Sequence, residues 1–172
     1  SVVFFTFFGM LPFYFSGSID TITNAFFETM SGFTTTGATI LDDIESLSHG
    51  MLFWRSLTQW IGGLGIVFFT IAILPIFTTG GVQLFSAEST GVTHDRTHPK
   101  INVMAKWLWT IYLVLTISET VLLMFGGMSL FDAICQSFAT TATGGYSTKQ
   151  NSISYWNSPY IEYVVAIFMI VS

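Results

Sequence analysis

Apolar residues run along this chain in long blocks, without the alternation or single-faced periodicity of a soluble fold. Leu52 to Leu74 and Trp107 to Phe125 each approach the roughly 20 residues a helix needs to cross a bilayer. Pro75 ends the first block and Gly126-Gly127 the second. Ser1 to Phe15 is a shorter apolar run, bent at Gly9 and Pro12 and closed by Ser16-Gly17-Ser18. Pro159 to Ser172 is another. Neither short run makes a full span and no basic segment precedes the first, so the chain reads as an internal piece of a longer membrane protein without a cleavable signal.

Two more apolar segments, Thr21 to Phe33 and Leu130 to Thr140, reach only about 16 to 20 Å as helices against a hydrocarbon core of about 30 Å. They can enter the membrane and turn back. Each runs into a turn rich in threonine and glycine. Asn24 to Thr39, N-A-F-F-E-T-M-S-G-F-T-T-T-G-A-T, returns as Asp132 to Ser147, D-A-I-C-Q-S-F-A-T-T-A-T-G-G-Y-S. Anchoring on Gly37 and Gly144, 107 residues apart, pairs Thr34 with Thr141, Thr36 with Thr143 and Phe33 with Thr140. The leading Asn-Ala and Asp-Ala then match with one residue of slippage. Such repetition sets the architecture. Non-helical backbone at membrane depth is tolerated only where it is buried in protein or lines a water-filled path, so the paired turns mark a pore. Asp20 or Thr21 caps the first short helix, leaving the partial negative end of its dipole at the pore centre, where it favours a cation.

Composition agrees: 51% of the 172 residues are hydrophobic, 17% aromatic and 9% charged, against roughly 25% charged in soluble domains. A formal charge of −5 leaves no basic face for nucleic acid. Residues 76–106 hold Arg96, Lys100 and Lys106, three of the five cationic side chains, which puts this linker in the cytoplasm and opens both loops to the other face. His94 and His98 in the linker lack a third metal ligand, and Thr97 and Pro99 point to a loop.

The polar residues inside apolar blocks carry open alternatives. Glu28 is either satisfied by nearby amides or a hydroxyl, or a charge that sets the field at the turn. Asp42, Asp43 and Glu45 are either a cation-concentrating vestibule or a solvated loop. Arg55 snorkels from a helix end, Trp54 and Trp60 suit an interface belt, and Arg55 and Gln59 share a helix face. Gly62, Gly63 and Gly65 thin the helix for close packing, with a hinge as the other reading. Glu119, the one acid of the second span, is a functional group or a hydrogen-bond partner of a neighbouring helix. Cys135 is a small buried apolar residue.

A dehydrated alkali cation needs inward carbonyls, in a backbone that glycine at positive φ helps to form. Gly37 and Gly144 supply that position, Thr36 and Thr143 add hydroxyls, and Ala38, Ala142 and Gly145 keep the approach clear. With no Cys, His or carboxylate cluster at the turns, the fit is to a hard monovalent ion. Ringing it takes about four loops, so two further repeats complete the pore. The rival is a re-entrant-loop secondary carrier for another monovalent cation or a coupled solute, though such carriers commonly have inverted repeats. No Ser-His or paired-Asp set suggests an enzyme.

S-G-F-T-T-T-G-A-T at Ser31 to Thr39, F-W-R-S-L-T-Q-W-I-G-G-L-G-I-V at Phe53 to Val67, S-L-F-D-A-I at Ser129 to Ile134 and A-T-G-G-Y-S-T at Ala142 to Thr148 resemble the TrkH family of bacterial potassium-uptake subunits. They are similar, less closely, to the KtrB relatives within the superfamily of K⁺ transporters. The resemblance implies an all-α membrane protein of membrane-pore-membrane repeats, two of four around a pseudo-fourfold pore. Residues 1–75 would be the first repeat, 76–106 the cytoplasmic linker and 107–172 the second repeat. It implies K⁺ uptake across the inner membrane, a homodimer, and a cytoplasmic nucleotide-binding regulatory subunit of the TrkA type, with no cofactor beyond the transported ion. The coordinating backbone it implies is Thr35, Thr36, Gly37, Ala142, Thr143 and Gly144. Thr34, Ala38, Thr39, Thr141, Gly145 and Tyr146 flank it. The T-V-G-Y-G of tetrameric potassium channels is absent, and the family's gating loop belongs to a third repeat.

Overall fold

A computed structural model describes the backbone of residues 2–86 and 98–172, and the side chains of 2–70 and 103–172. Its regular elements are helices, with no strand among the described residues. The first apolar run forms α1 (Val2–Gly9) and α2 (Leu11–Phe15), broken at Met10 where Pro12 enters the first turn of α2. A short helix α3 (Ile22–Phe33) follows, then α4 (His49–Ser86), α5 (His98–Phe125), a second short helix α6 (Leu130–Thr141), a 3-10 turn at Ser152–Trp156 and α7 (Pro159–Val171).

Two helix limits differ from the sequence expectation. Helix α4 runs 38 residues, through Pro75 to Ser86, which at about 1.5 Å per residue is roughly 57 Å. Proline is tolerated inside membrane helices because neighbouring helices, hydroxyls and waters satisfy the backbone groups it frees. Helix α5 begins at His98, nine residues ahead of Trp107, because Pro99 falls in the first turn, where a missing N–H costs nothing. The two helices therefore extend into what was read as linker. His98 starts a helix, and His94 lies outside the described residues. The stretch Val103–Phe125, 23 residues, is long and apolar enough to cross a membrane.

Packing follows the repeat. Helix α3 rests on α1 and α4, and α6 on α4, α5 and α7, so α4 touches both short helices. One apolar cluster gathers Met10, Phe13, Ala25 and Met51 in the first unit. A second gathers Leu123, Ala133, Ile161 and Val165 in the other. Phe4, Phe5, Phe15, Phe69, Trp107 and Phe125 lie more than half exposed. Glu28, Arg55, Gln59, Glu119, Gln136 and Thr140 are buried. Apolar outside and polar inside is the arrangement of a protein with lipid or further helices around it.

Candidate functional site

The two short helices begin and end alike. Thr21 caps α3 by accepting the Asn24 N–H, and Ser129 caps α6 by accepting the Asp132 N–H. At the other end, the Thr35 N–H donates to Gly32 O and the Thr36 N–H to Ser31 O, at 2.9 and 3.0 Å. The Thr143 N–H likewise donates to Thr140 O and the Gly144 N–H to Ala139 O, both at 2.8 Å. These paired bonds are the Schellman motif, which places the residue after the cap in the left-handed region. That residue is Thr35 in one copy, at φ 54°, and Thr143 in the other, at φ 52°. A β-branched residue there is strained, of order 1–3 kcal/mol each, and such strain clusters at functional sites.

Caps, hydrogen bonds and φ values set the repeat offset at 108, not 107. Thr35 corresponds to Thr143, Thr36 to Gly144 and Gly37 to Gly145, the two glycines at φ 74° and 82°. Thr34 then matches Ala142, Phe33 matches Thr141, and Asn24-Ala25 meets Asp132-Ala133 without slippage. Gly145, not Gly144, is the second positive-φ glycine. In both copies φ is positive, then not, then positive along three residues, an alternation that turns successive peptide groups toward one side.

The turns meet. A Cβ placed on Gly37 would overlap the carbonyl oxygen of Gly144, and one on Gly144 would overlap the amide of Gln59. Neighbouring atoms exclude a side chain at both positions, and at Gly37 the positive φ does so as well. A Cβ on Gly62 would overlap the Phe33 carbonyl, and one on Gly63 would lie 2.7 Å from Tyr112 Oη and 3.0 Å from Ala142 Cβ. Close packing is thus the role of these two, and α4 presses on the ends of both short helices. Gly65 has nothing within 4 Å. It lines an apolar cavity of about 600 Å³ with Phe5, Phe33 and Phe69.

Behind the turns lies a buried network centred on Arg55. Its Nε is 2.7 Å from Glu28 Oε1, its Nη1 donates to Ser147 O at 3.1 Å, and its guanidinium stacks 3.6 Å from the centre of the Tyr146 ring. Glu28 also accepts from the Thr39 hydroxyl and, at 3.0 Å, from the Ile40 N–H. The Tyr146 hydroxyl lies 2.9 Å from Glu28 O and 3.2 Å from Ala38 O. One side chain of α4 therefore ties the first short helix to the second loop. The pair is neutral overall, so it leaves the negative helix ends to set the local field.

Arg55 was expected to snorkel; its side chain is 2% exposed instead, because α3 and the second loop cover it. Glu28 takes the satisfied reading, with an ion pair added. Trp54 and Trp60 turn their indole N–H groups inward, to Gly9 O at 2.9 Å and Thr116 Oγ1 at 3.1 Å, so they serve packing before any belt. Glu119 accepts from Thr141 at 3.4 Å, the second of the two readings open for it, while its Oε1 has no partner among the described residues. Cys135 is buried and free. Of the residues the resemblance implied, Thr35 to Gly37 and Thr143 to Gly145 are brought together, and Ala142 is the cap residue that precedes the second set. Gln59, four residues from Arg55 on the same helix face, joins the site through its amide, which the sequence pattern alone does not indicate.

Both loops lie on one side of the protein. Lys149 Nζ is 3.7 Å from Glu45 Oε2, and the Ile44 N–H donates to Gln150 Oε1 at 3.1 Å. The loops that follow the two turns thus touch, which fits parallel repeats and not inverted ones. Glu45 belongs to this contact, while Asp42 and Asp43 stay exposed. Among the described residues no three His, Cys, Asp or Glu side chains converge to hold a metal.

Comparison with known proteins agrees with this arrangement. The family described as "TrkH: Cation transport protein" matches residues 2–172. The Trk system potassium uptake protein TrkH of Escherichia coli (strain K12) is 51% identical over 166 residues, which is 95% of this chain and 34% of that protein. TrkG of the same strain is 40% identical over 153 residues, 88% of this chain and 32% of that one. The crystal structure of the potassium transporter TrkH from Vibrio parahaemolyticus superposes with a TM-score of 0.82 at 38% identity, covering 99% of this chain and 34% of its own. The chain therefore spans about a third of the length of the curated relatives it matches.

Proposed function

Because this chain belongs to the TrkH family of cation transport proteins, we propose that it supplies two of four walls of a potassium-uptake pore in a bacterial inner membrane. The observation that carries the reading is the pair of matching turns, each with a threonine held left-handed after a buried half-helix, in contact at Gly37 and Gly144. The potassium uptake named for the relatives is what makes the ion K⁺. Transport is the activity, and no bond is made or broken.

The carbonyls that replace water around the ion are those of Thr35, Thr36 and Gly37 in the first turn. The repeat register moves the second set by one residue, to Thr143, Gly144 and Gly145, with Ala142 in the place of Thr34. The hydroxyls of Thr34, Thr36 and Thr39 and the neighbours Ala38, Thr141 and Tyr146 shape the flanks. Two more repeats on the same polypeptide close the ring, since carbonyl filters are built from about four loops. The turns face the periplasm and the segment around residues 76–106 the cytoplasm, by the positive-inside rule. A homodimer and a TrkA-type nucleotide-binding subunit on the cytoplasmic side complete the system.

The test is K⁺-limited growth and K⁺ uptake of a K⁺-uptake-deficient strain carrying the complete protein. Gly37→Val and Gly144→Val, separately and together, are expected to abolish uptake while the protein still inserts. Normal uptake by the double variant would overturn the reading. Cysteine labelling decides against the carrier alternative by placing Asp43 and Lys149 on one face; labelling from opposite faces would revive it.

A further inference from the structure

Position 144 poses a question that the repeat makes visible. Its counterpart in the first turn is Thr36, a residue with a side chain, yet at 144 there is none. The space is taken by Gln59, which reaches in from α4, 0% exposed. A Cβ at 144 would lie 2.6 Å from both Nε2 and Oε1 of that amide. Oε1 accepts the Tyr146 N–H at 3.2 Å. Nε2 has no hydrogen-bond partner among the described residues, and it would lie 3.8 Å from a Cβ on Gly37. One amide is thus bonded to the backbone of the second turn and faces the place a side chain on Gly37 would occupy.

We propose that Gln59 is a specificity-determining positioning residue, its amide fixing the separation of the first and second turns and thereby the preference of the pore for K⁺ over the smaller Na⁺. The inference rests on the pore reading above. Preference among alkali cations depends on the spacing or on the number and field of the carbonyls, and both change if two turns close on a smaller ion. The turns already touch at Gly37 and Gly144, and a buried amide, held by a bond to the Tyr146 N–H and backed by the Arg55 stack on the Tyr146 ring, keeps that contact from shifting. A buried amide left with an unpaired donor calls for an explanation; geometry at the turns provides one.

The experiment compares Gln59→Leu and Gln59→Asn with the wild type in the complete protein. K⁺ and Na⁺ fluxes are measured in the same proteoliposomes, so that the ratio is independent of how much protein inserts. Leu removes both polar atoms, and Asn keeps the amide but is one methylene too short to reach the Tyr146 N–H. Both are expected to lower the K⁺ over Na⁺ preference by about fivefold to tenfold, the factor that matches one hydrogen bond of ordinary net strength. Either variant conducting at the wild-type ratio overturns the inference, and Asn decides the matter where Leu fails to insert. A wild-type protein that conducts no K⁺ would instead sink the pore reading, so the two failures are distinguishable.

Discussion

Removing the Arg55 guanidinium tests how the two repeats are tied. In Arg55→Met the stem volume is kept, but Glu28 stays buried without its cation, a situation that costs about 3–5 kcal/mol. The loss lies at the lower end of that range if the Thr39 hydroxyl and the Ile40 N–H, both within 3.1 Å of the carboxylate, go on satisfying it. Loss of the bond to Ser147 O and of the stack on Tyr146 pushes it upward, by about 0.5–2 kcal/mol for the stack. In a unit of this size each kcal/mol moves the melting temperature by about 2–4 °C, which gives a fall of roughly 6 to 20 °C. The assay is thermal unfolding of the purified protein in detergent for Arg55→Met, Glu28→Gln and the double variant. The double variant should recover part of the loss, because a neutral amide leaves no buried charge, with a coupling of about 1–3 kcal/mol. A single-variant loss under about 1 kcal/mol together with no coupling would refute the reasoning and return Arg55 to the membrane surface.

Other outcomes follow from the same packing. Gly62→Ala should destabilise by about 1–3 kcal/mol, since its methyl meets the Phe33 backbone. Gly65→Ala, with open space around it, should be neutral or gain up to about 1 kcal/mol of helix propensity. Thermal unfolding of the two variants side by side checks the contrast, and equal effects would count against the packing. Gly145→Ala has nothing within 4 Å to strike, so any effect comes from φ 82° alone; uptake should fall while expression holds. Tyr146→Phe loses the hydroxyl shared between Glu28 O and Ala38 O and keeps the ring under Arg55, and a loss of about 0.5–1.5 kcal/mol is expected by the same unfolding assay.

The half-helices, their caps and the pore-like turns were legible because they rest on local chemistry. A capping residue at Asp20 or Thr21 and a run too short to cross are visible in one stretch of residues, whereas the Ser129 cap came from the structure. Glycine identity anchors the sequence register at 107, one residue short of the structural offset of 108. The conformational constraint lies a step earlier, in threonines held left-handed by two backbone bonds, and threonine carries no sequence signal for that state. Arg55 was read from its place near a helix end, whereas its environment is made by α3 and a loop 92 residues away. Gln59 is a site residue for the same reason: what it touches is set by tertiary packing. Pro75 and Pro99 misled in opposite ways, one tolerated within a helix and the other suited to a first turn.

If the turns at Thr35–Gly37 and Thr143–Gly145 line an ion path, anomalous diffraction from crystals of the complete protein soaked in Rb⁺ or Tl⁺, both stand-ins for K⁺, will locate the ion there. Peaks within coordination distance of the carbonyls of both turns are expected. Ordered turns with no peak beside them, and the ion bound elsewhere in the molecule, would contradict it.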